Sequence, residues 1–259
     1  MASRQPGSNA RLRQYQVLAL LLAALLVYIV IARHVVSTTS ALLFAMLIPS
    51  VILHEVSHGL VAYWFGDDTA KMAGRLTLNP IPHIDPLGSV IMPAILAFGG
   101  FPVFGYAKPV PVDVSRLRSP RNQTVIVSLA GPAVNIILAV LAALALRIFL
   151  PVGYVDFAHR YGVLNLLAVL PIGWQLLFFF GLVNVYLAIF NLIPLPPLDG
   201  SAVLERLMPR AWWPAYLSIR RYTLPILFIV AILVVEVHPG ALARVYQPAI
   251  NLWGRLVVR

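Results

Sequence analysis

The 259-residue sequence has no cysteine and very little charge, with 9 acidic residues against 19 basic ones, 11% in all. Without cysteine there is no disulfide, thiolate nucleophile or thiolate ligand, so any metal must be held by nitrogen and oxygen. A soluble globular domain carries roughly a quarter charged residues, and so short a chain cannot hide a 60% hydrophobic content in a soluble core. The composition is that of a membrane protein. The scarcity of acids leaves a net charge of +10, but the basic residues lie in short groups at the ends of apolar runs, the densest being Arg116, Arg118 and Arg121. That pattern suits anionic lipid headgroups and topology signals, and argues against a nucleic-acid partner.

What is abundant is uncharged apolar sequence. The run over residues 14–32 is longer than a signal-peptide core, and no small-x-small cleavage site precedes Arg33, so it reads as a retained first span. A second run, 35–65, contains His54, Glu55 and His58 and ends at Gly66-Asp67-Asp68. Residues 122–146 are long enough to cross a hydrocarbon core of about 30 Å and form a third span. A fourth is expected over 172–192, because Pro171 and Pro194 limit it on both sides. A fifth is expected over 222–237, and the tail 241–259 alternates apolar and basic residues around Trp253, as an interfacial amphipathic segment does. Residues 86–107 are uncharged but interrupted by Pro93, Gly99, Gly100, Pro102 and Gly105, the punctuation of a re-entrant or broken element. Residues 71–78 read either as a short β-strand or as a plain cytoplasmic loop. The expected fold is therefore an all-α polytopic membrane protein of about five transmembrane helices, a re-entrant or broken segment and a short strand or hairpin. It forms a single domain over 1–259, with a catalytic core over about 35–204 and a C-terminal span and tail over 222–259.

With the N-terminus cytoplasmic and 86–107 not crossing, 13 of the 19 lysines and arginines fall on the cytoplasmic side, as the positive-inside rule requires. Trp212, Trp213 and Tyr216 then form an aromatic belt at that interface.

His54-Glu55-Val56-Ser57-His58 is an H-E-x-x-H pattern within a helical apolar run. Positions i and i+4 share a helix face, so both imidazoles can converge on one Zn²⁺, with Glu55 beside the open coordination position as a base. Its depth strengthens the reading: an ionisable side chain in hydrocarbon costs at least about 2.5 kcal/mol, and three together need a partner such as a metal. A catalytic zinc site takes a third protein ligand. Asp199 is the candidate, because it follows a long span and the prolines 194, 196 and 197. Those prolines predict extended backbone with unpaired carbonyls, tolerated at membrane depth where it lines a cavity.

His54-Glu55-x-x-His58, together with Asn191 and the proline-rich approach to Leu198-Asp199-Gly200, resembles the site-2 protease family of intramembrane zinc metalloproteases. Gly131-Pro132-Ala133-Val134-Asn135 resembles a further signature of that family, and residues 105–111 are similar to its compact bacterial members. The resemblance covers roughly 35–204. It implies His54, His58 and Asp199 as ligands of one Zn²⁺ per chain, Glu55 as general base, and Asn191 as a polar group near the developing oxyanion. Asn135 serves either helix packing or the site. It further implies a transmembrane protein substrate, and a bacterial cytoplasmic membrane with the active site towards the cytoplasm. The chain leaves no room for a PDZ domain, which many relatives carry.

The expected activity is hydrolysis of a peptide bond within or beside a transmembrane helix, with the strand at 71–78 pairing with an unwound substrate. The competing readings are a membrane zinc transporter and a non-catalytic scaffold that binds membrane segments. The outer halves of the spans are almost uniformly apolar, against transport, and Glu55 is superfluous to a scaffold. His83 and Asp85 are expected in a turn near the substrate entry; His34, His159 and His238 fall on the outer side with no catalytic role. The zinc site also demands an even number of crossings between His58 and Asp199.

Overall fold

A computed structural model describes residues 37–91, 107–218, 220, 222–223 and 239–258. The chain divides into two units, Met1–Ala41 and Leu42–Arg259. The first is described only over 37–41, where the Ser40 amide donates to Ser37 Oγ (3.1 Å) and the Ala41 amide to the Ser37 carbonyl (2.9 Å).

Helix α1 spans Thr38–Trp64, with Pro49 inside it. A short α2, Thr69–Met72, follows at once. After the segment 107–119 come α3, Pro120–Phe149, and α4, Val152–Tyr161. Then follow α5, Ile172–Leu192, the short α6, Ser201–Leu207, and the final α7, Pro239–Val257. Three of these, α1, α3 and α5, are long and apolar enough to cross a membrane. They coincide with the second, third and fourth expected spans, and α5 matches the proline-bounded limits residue for residue. The expected first span at 14–32 and most of the fifth at 222–237 lie outside the described residues. So do residues 92–106 of the re-entrant candidate, whose start forms one π-helical turn over Pro86–Ile91.

Among the described residues there is no strand. Residues 71–78, expected to be one, are instead the end of α2 and a turn. The Asp67 carboxylate accepts from the Thr69 amide (3.0 Å), which starts α2, and Gly74 at φ +66° reverses the chain after it. Arg75 is then drawn inward, its Nη2 donating to the carbonyl of Lys108 (2.5 Å), so the residue needed to alternate outward is buried.

Side-chain contacts give the helix directions. Along α1, His54 meets Asn135 and His58 meets the Val127 carbonyl, so the partner numbers on α3 fall as those on α1 rise. Helices α1 and α3 are antiparallel. Ser50 meets Asn184 of α5, and His54 and His58 meet Asp199 beyond its end, so α1 and α5 are parallel. The parallel run of α1 and α5 brings His54, His58 and Asp199 to one level.

The apolar core lies between α3, α4, α5 and α7, away from the histidines. Helix α7 presents Ile250, Trp253 and Val257 at helical spacing, all buried, while Arg244, Leu252 and Arg255 on its other side are exposed. Trp253 Nε1 donates to the Ala139 carbonyl (2.8 Å), and its ring meets Phe178 edge-on and fills the space left by Gly181, where a Cβ would strike it. The tail read as an interfacial segment thus packs against the bundle with one face and keeps the other outward. Large apolar side chains such as Ile137, Leu141 and Ile148 on α3 are exposed, as contact with hydrocarbon allows. At the proposed aromatic belt Trp212 is exposed, whereas the Tyr216 hydroxyl donates to Glu205 Oε1 (2.6 Å). Burial and that carboxylate push the phenol up to about 12.

Trp253→Ala opens a cavity where three helices meet, at a cost of about 3–5 kcal/mol. Its unfolding midpoint in detergent micelles should fall well below that of Leu252→Ala, whose side chain is exposed.

Candidate metal centre

Helical spacing puts His54 and His58 on one face of α1, and both are buried. Their Nε2 atoms lie 3.1 Å apart. Asp199 closes the group, with Oδ2 3.1 Å from His54 Nε2 and Oδ1 3.4 Å from His58 Nε2. One ligand atom from each residue falls within 4.8 Å of the others, so the three can hold one metal ion.

Asp199 arrives by a route the sequence did not suggest. The proline-rich stretch after α5 was expected to be extended with free carbonyls; it is a run of tight turns. The amides of Leu195, Leu198 and Ser201 donate to the carbonyls of Ile193, Leu195 and Leu198, and the Gly200 amide returns to the Asn191 carbonyl at 2.7 Å. The chain therefore folds back onto the end of α5. Gly200 is required there, because a Cβ would stand 2.6 Å from the Leu192 carbonyl carbon.

The far side of each imidazole faces a carbonyl oxygen. His58 Nδ1 donates to Val127 O (2.7 Å) and His54 Nδ1 to Asn135 Oδ1 (2.5 Å). With the proton on Nδ1, each Nε2 keeps its lone pair and turns it towards the other and towards the carboxylate. Asp199 Oδ2 is buried, and His54 Nε2 is the nitrogen it faces among the described residues. With both rings neutral these groups are electron-pair donors facing one another, an arrangement that fits a cation. Imidazole nitrogen and carboxylate oxygen are donor types that suit zinc, and one such atom from each residue lies within 4.8 Å of the others. Gly131 of α3 completes the cradle: a Cβ there would lie 2.5 Å from His58 Nε2 and 2.6 Å from His54 Nε2.

Glu55, half-buried, holds one oxygen against the backbone, its Oε2 accepting from the Val110 amide at 2.8 Å. The segment bearing Val110 is clamped at both ends. Arg75 donates to the carbonyl of Lys108, the His83 carbonyl accepts from the Lys108 amide (2.9 Å), and Asp67 Oδ2 accepts from the Asp113 amide (2.7 Å).

Among the other sequence candidates, Asn191 donates its side-chain amide to the Leu187 carbonyl one turn back in α5 (3.0 Å), away from the ligand set, while its main chain anchors the Asp199 turn. His83 is buried and donates to the Thr77 carbonyl (2.9 Å), and Asp85 accepts from the Gly88 amide (2.7 Å), both within turns. His159 is exposed on α4, and His34 and His238 lie outside the described residues. Sequence reasoning left Asn135 undecided and missed Asn184 and Ser50, which continue the hydrogen bonds behind His54. The available signal was an amide in the middle of an apolar span, where a polar group needs a partner.

The profile of peptidase family M50 matches residues 42–234, the stretch that carries all three ligand candidates. The chain belongs to peptidase family M50. It is 44% identical over 164 residues to a Bacillus subtilis protein named "Putative zinc metalloprotease YwhC". That match covers 63% of this chain and 67% of the relative. The Rip2 proteins of Mycolicibacterium smegmatis and Mycobacterium tuberculosis carry the same designation. They are 36% and 34% identical over 157 residues, a match that covers 60% of this chain and 53% of each. No solved structure matches the chain. Family membership and three membrane-length apolar helices make this M50 member an integral membrane protein, with a site suited to one zinc ion.

Gly131→Ala should drive a methyl group into the space the two Nε2 atoms face. Elemental analysis of the purified variant is expected to show zinc content reduced at least about tenfold, the order seen when support around a ligand is lost. Gly153→Ala, whose Cβ meets nothing within 4 Å, should match wild type.

Proposed function

We propose that this M50 member is an intramembrane zinc metalloprotease that hydrolyses peptide bonds in or near transmembrane segments of membrane proteins. In this reading His54, His58 and Asp199 hold the zinc and Glu55 is the general base. The observation that carries it is the convergence of two buried imidazole nitrogens and a carboxylate on one side of a membrane-length helix. When bound, zinc supplies Lewis acidity, polarising a carbonyl and making water acidic enough to attack near neutral pH.

The chain's own groups supply the rest. Glu55 takes the proton of the attacking water and passes it to the leaving amine. With Oε2 fixed by the Val110 amide, Oε1 is the atom that carries that proton. The low-dielectric surroundings strengthen each interaction that orients the substrate carbonyl. Asn191, at the end of α5 beside the Asp199 turn, can approach the oxyanion only by leaving the Leu187 carbonyl, a one-turn side-chain move. A substrate helix hides its carbonyls in internal hydrogen bonds, so it must unwind before attack. The segment at 71–78 does not supply a strand to hold it, since it forms a helix end and turn. The C-terminal ends of α1 and α5 and the N-terminal half of α3 share one level, which the count of basic residues assigns to the cytoplasmic side.

Glu55→Gln separates this reading from a transporter or a scaffold. Reconstituted in proteoliposomes with a single-span substrate, the variant should lose at least about 10²-fold in cleavage rate, the scale of a lost general base, while keeping its zinc. Cleavage at the wild-type rate, or transport of zinc by both proteins, overturns the proposal.

A further inference from the structure

We infer that Asn184 is a positioning residue for zinc binding: through Asn135 it decides which ring nitrogen of His54 carries the proton. The inference rests on the zinc reading above and adds to it a residue that touches no ligand of the metal.

The two imidazoles are supported unequally. His58 Nδ1 faces the main-chain carbonyl of Val127, which accepts under all circumstances. His54 Nδ1 faces a side-chain amide, and an amide can turn either its oxygen or its nitrogen towards a ring. Were Asn135 reversed, its NH₂ would meet Nδ1, and His54 would keep its lone pair there and put its proton on Nε2. That proton would point at His58 Nε2 and Asp199, where the metal must enter.

What prevents the reversal is a chain of hydrogen bonds with a fixed end. The Phe180 carbonyl, one turn back in α5, can only accept, and it takes a hydrogen bond from Asn184 Nδ2 at 2.8 Å. Ser50 gives its hydroxyl proton to the Met46 carbonyl (2.8 Å), so its oxygen also accepts from Asn184 Nδ2, at 2.9 Å. Two acceptors at one end of the Asn184 amide make that end the NH₂, and its oxygen then faces Asn135. At 2.6 Å the atom opposite must donate, so Asn135 presents Nδ2 to Asn184 and Oδ1 to His54. Ser50, Asn135 and Asn184 are each 0% exposed, so no water can substitute for a lost link. The relay runs from α5 through α3 to α1, and each amide orientation follows from the previous one.

The test measures zinc affinity of the full chain in detergent micelles by competition with a chelator, with thermal melts of the metal-free proteins as controls for folding. Asn184→Leu keeps the volume and removes the acceptor facing Asn135; zinc binding should weaken 10- to 100-fold. The decisive protein is the double variant Asn135→Asp, Asn184→Leu. A carboxylate offers His54 an acceptor whichever way it is turned and needs no orienting partner, so affinity should return to within about threefold of wild type. A purely structural role for Asn184 would not be rescued by a change at Asn135. Should Asn184→Leu fail to fold, Asn184→Ala in the same two backgrounds makes the same comparison. Wild-type affinity in the single variant, or a double variant no tighter than the single, overturns the inference alone. A wild-type chain that takes up no zinc overturns the reading beneath it as well.

Discussion

Two imidazole nitrogens and a carboxylate face one another in the middle of this bundle, 3.1–3.4 Å apart, and the other polar features of the site serve that arrangement. An unpaired carboxylate in an apolar environment is costly, and so are imidazole lone pairs that meet each other. A divalent cation relieves all of these costs together. Metal binding is therefore coupled to the stability of the pairing between α1 and the α5 turn, since ligands from both elements must meet for the ion to be held. The scarcity of charge in the spans follows from the same constraint. A membrane helix can carry ionisable residues where they satisfy one another, and here His54, Glu55 and His58 are concentrated on the helix that forms the site.

Bringing the ligands together required close approach as well as charge. Gly131 lets α3 pass against the imidazoles, and Gly200 lets the chain turn back over the end of α5. Around these contacts the long helices are held by side chains that do not bind the metal. Trp253 fastens α7 to α3 and α5, and the amides of Asn135 and Asn184 join α1, α3 and α5. Hydrophobic attraction between helices is weak in lipid, so packing and buried hydrogen bonds must set their registry. Here the hydrogen bonds that set the registry are also those that orient His54.

Much of this was legible in the sequence. The second, third and fourth spans were readable because a hydrocarbon slab imposes a minimum apolar length, and Pro171 and Pro194 cut the fourth to size. The candidate ligands were readable because i,i+4 spacing fixes which residues share a face, and because Asp199 follows a long span and a proline-rich stretch. The strand at 71–78 was misjudged because its determinants are remote: Arg75 turns inward for the Lys108 carbonyl, 33 residues away, which no local alternation shows. The turns before Asp199 were misjudged because proline excludes a helix without dictating extension, and the return of the Gly200 amide to Asn191 is a tertiary choice. The tail was correctly amphipathic. Periodicity states that one face is apolar, and is silent on whether lipid or protein covers it.

The least legible part concerns Glu55. H-E-x-x-H picks out Glu55 as the candidate base but says nothing of what aims it, and on a helix a glutamate has several rotamers that reach different places. The aim comes from the amide of Val110, and that amide is itself fixed by neighbours on either side. Lys108 is tied by Arg75 and His83, and Asp113 by Asp67. Pro109 and Pro111, which have no N–H to donate, flank Val110 and stiffen the backbone around it. Asp67, Arg75 and His83 are all buried, and each spends its hydrogen bonds on this strap or on the turns beneath it. Buried charge away from a reacting centre is a poor source of net stability. Its placement here is better explained by geometry: the Glu55 carboxylate is held in one direction by a donor on a short loop, and such a loop becomes rigid when both of its ends are locked by charged side chains.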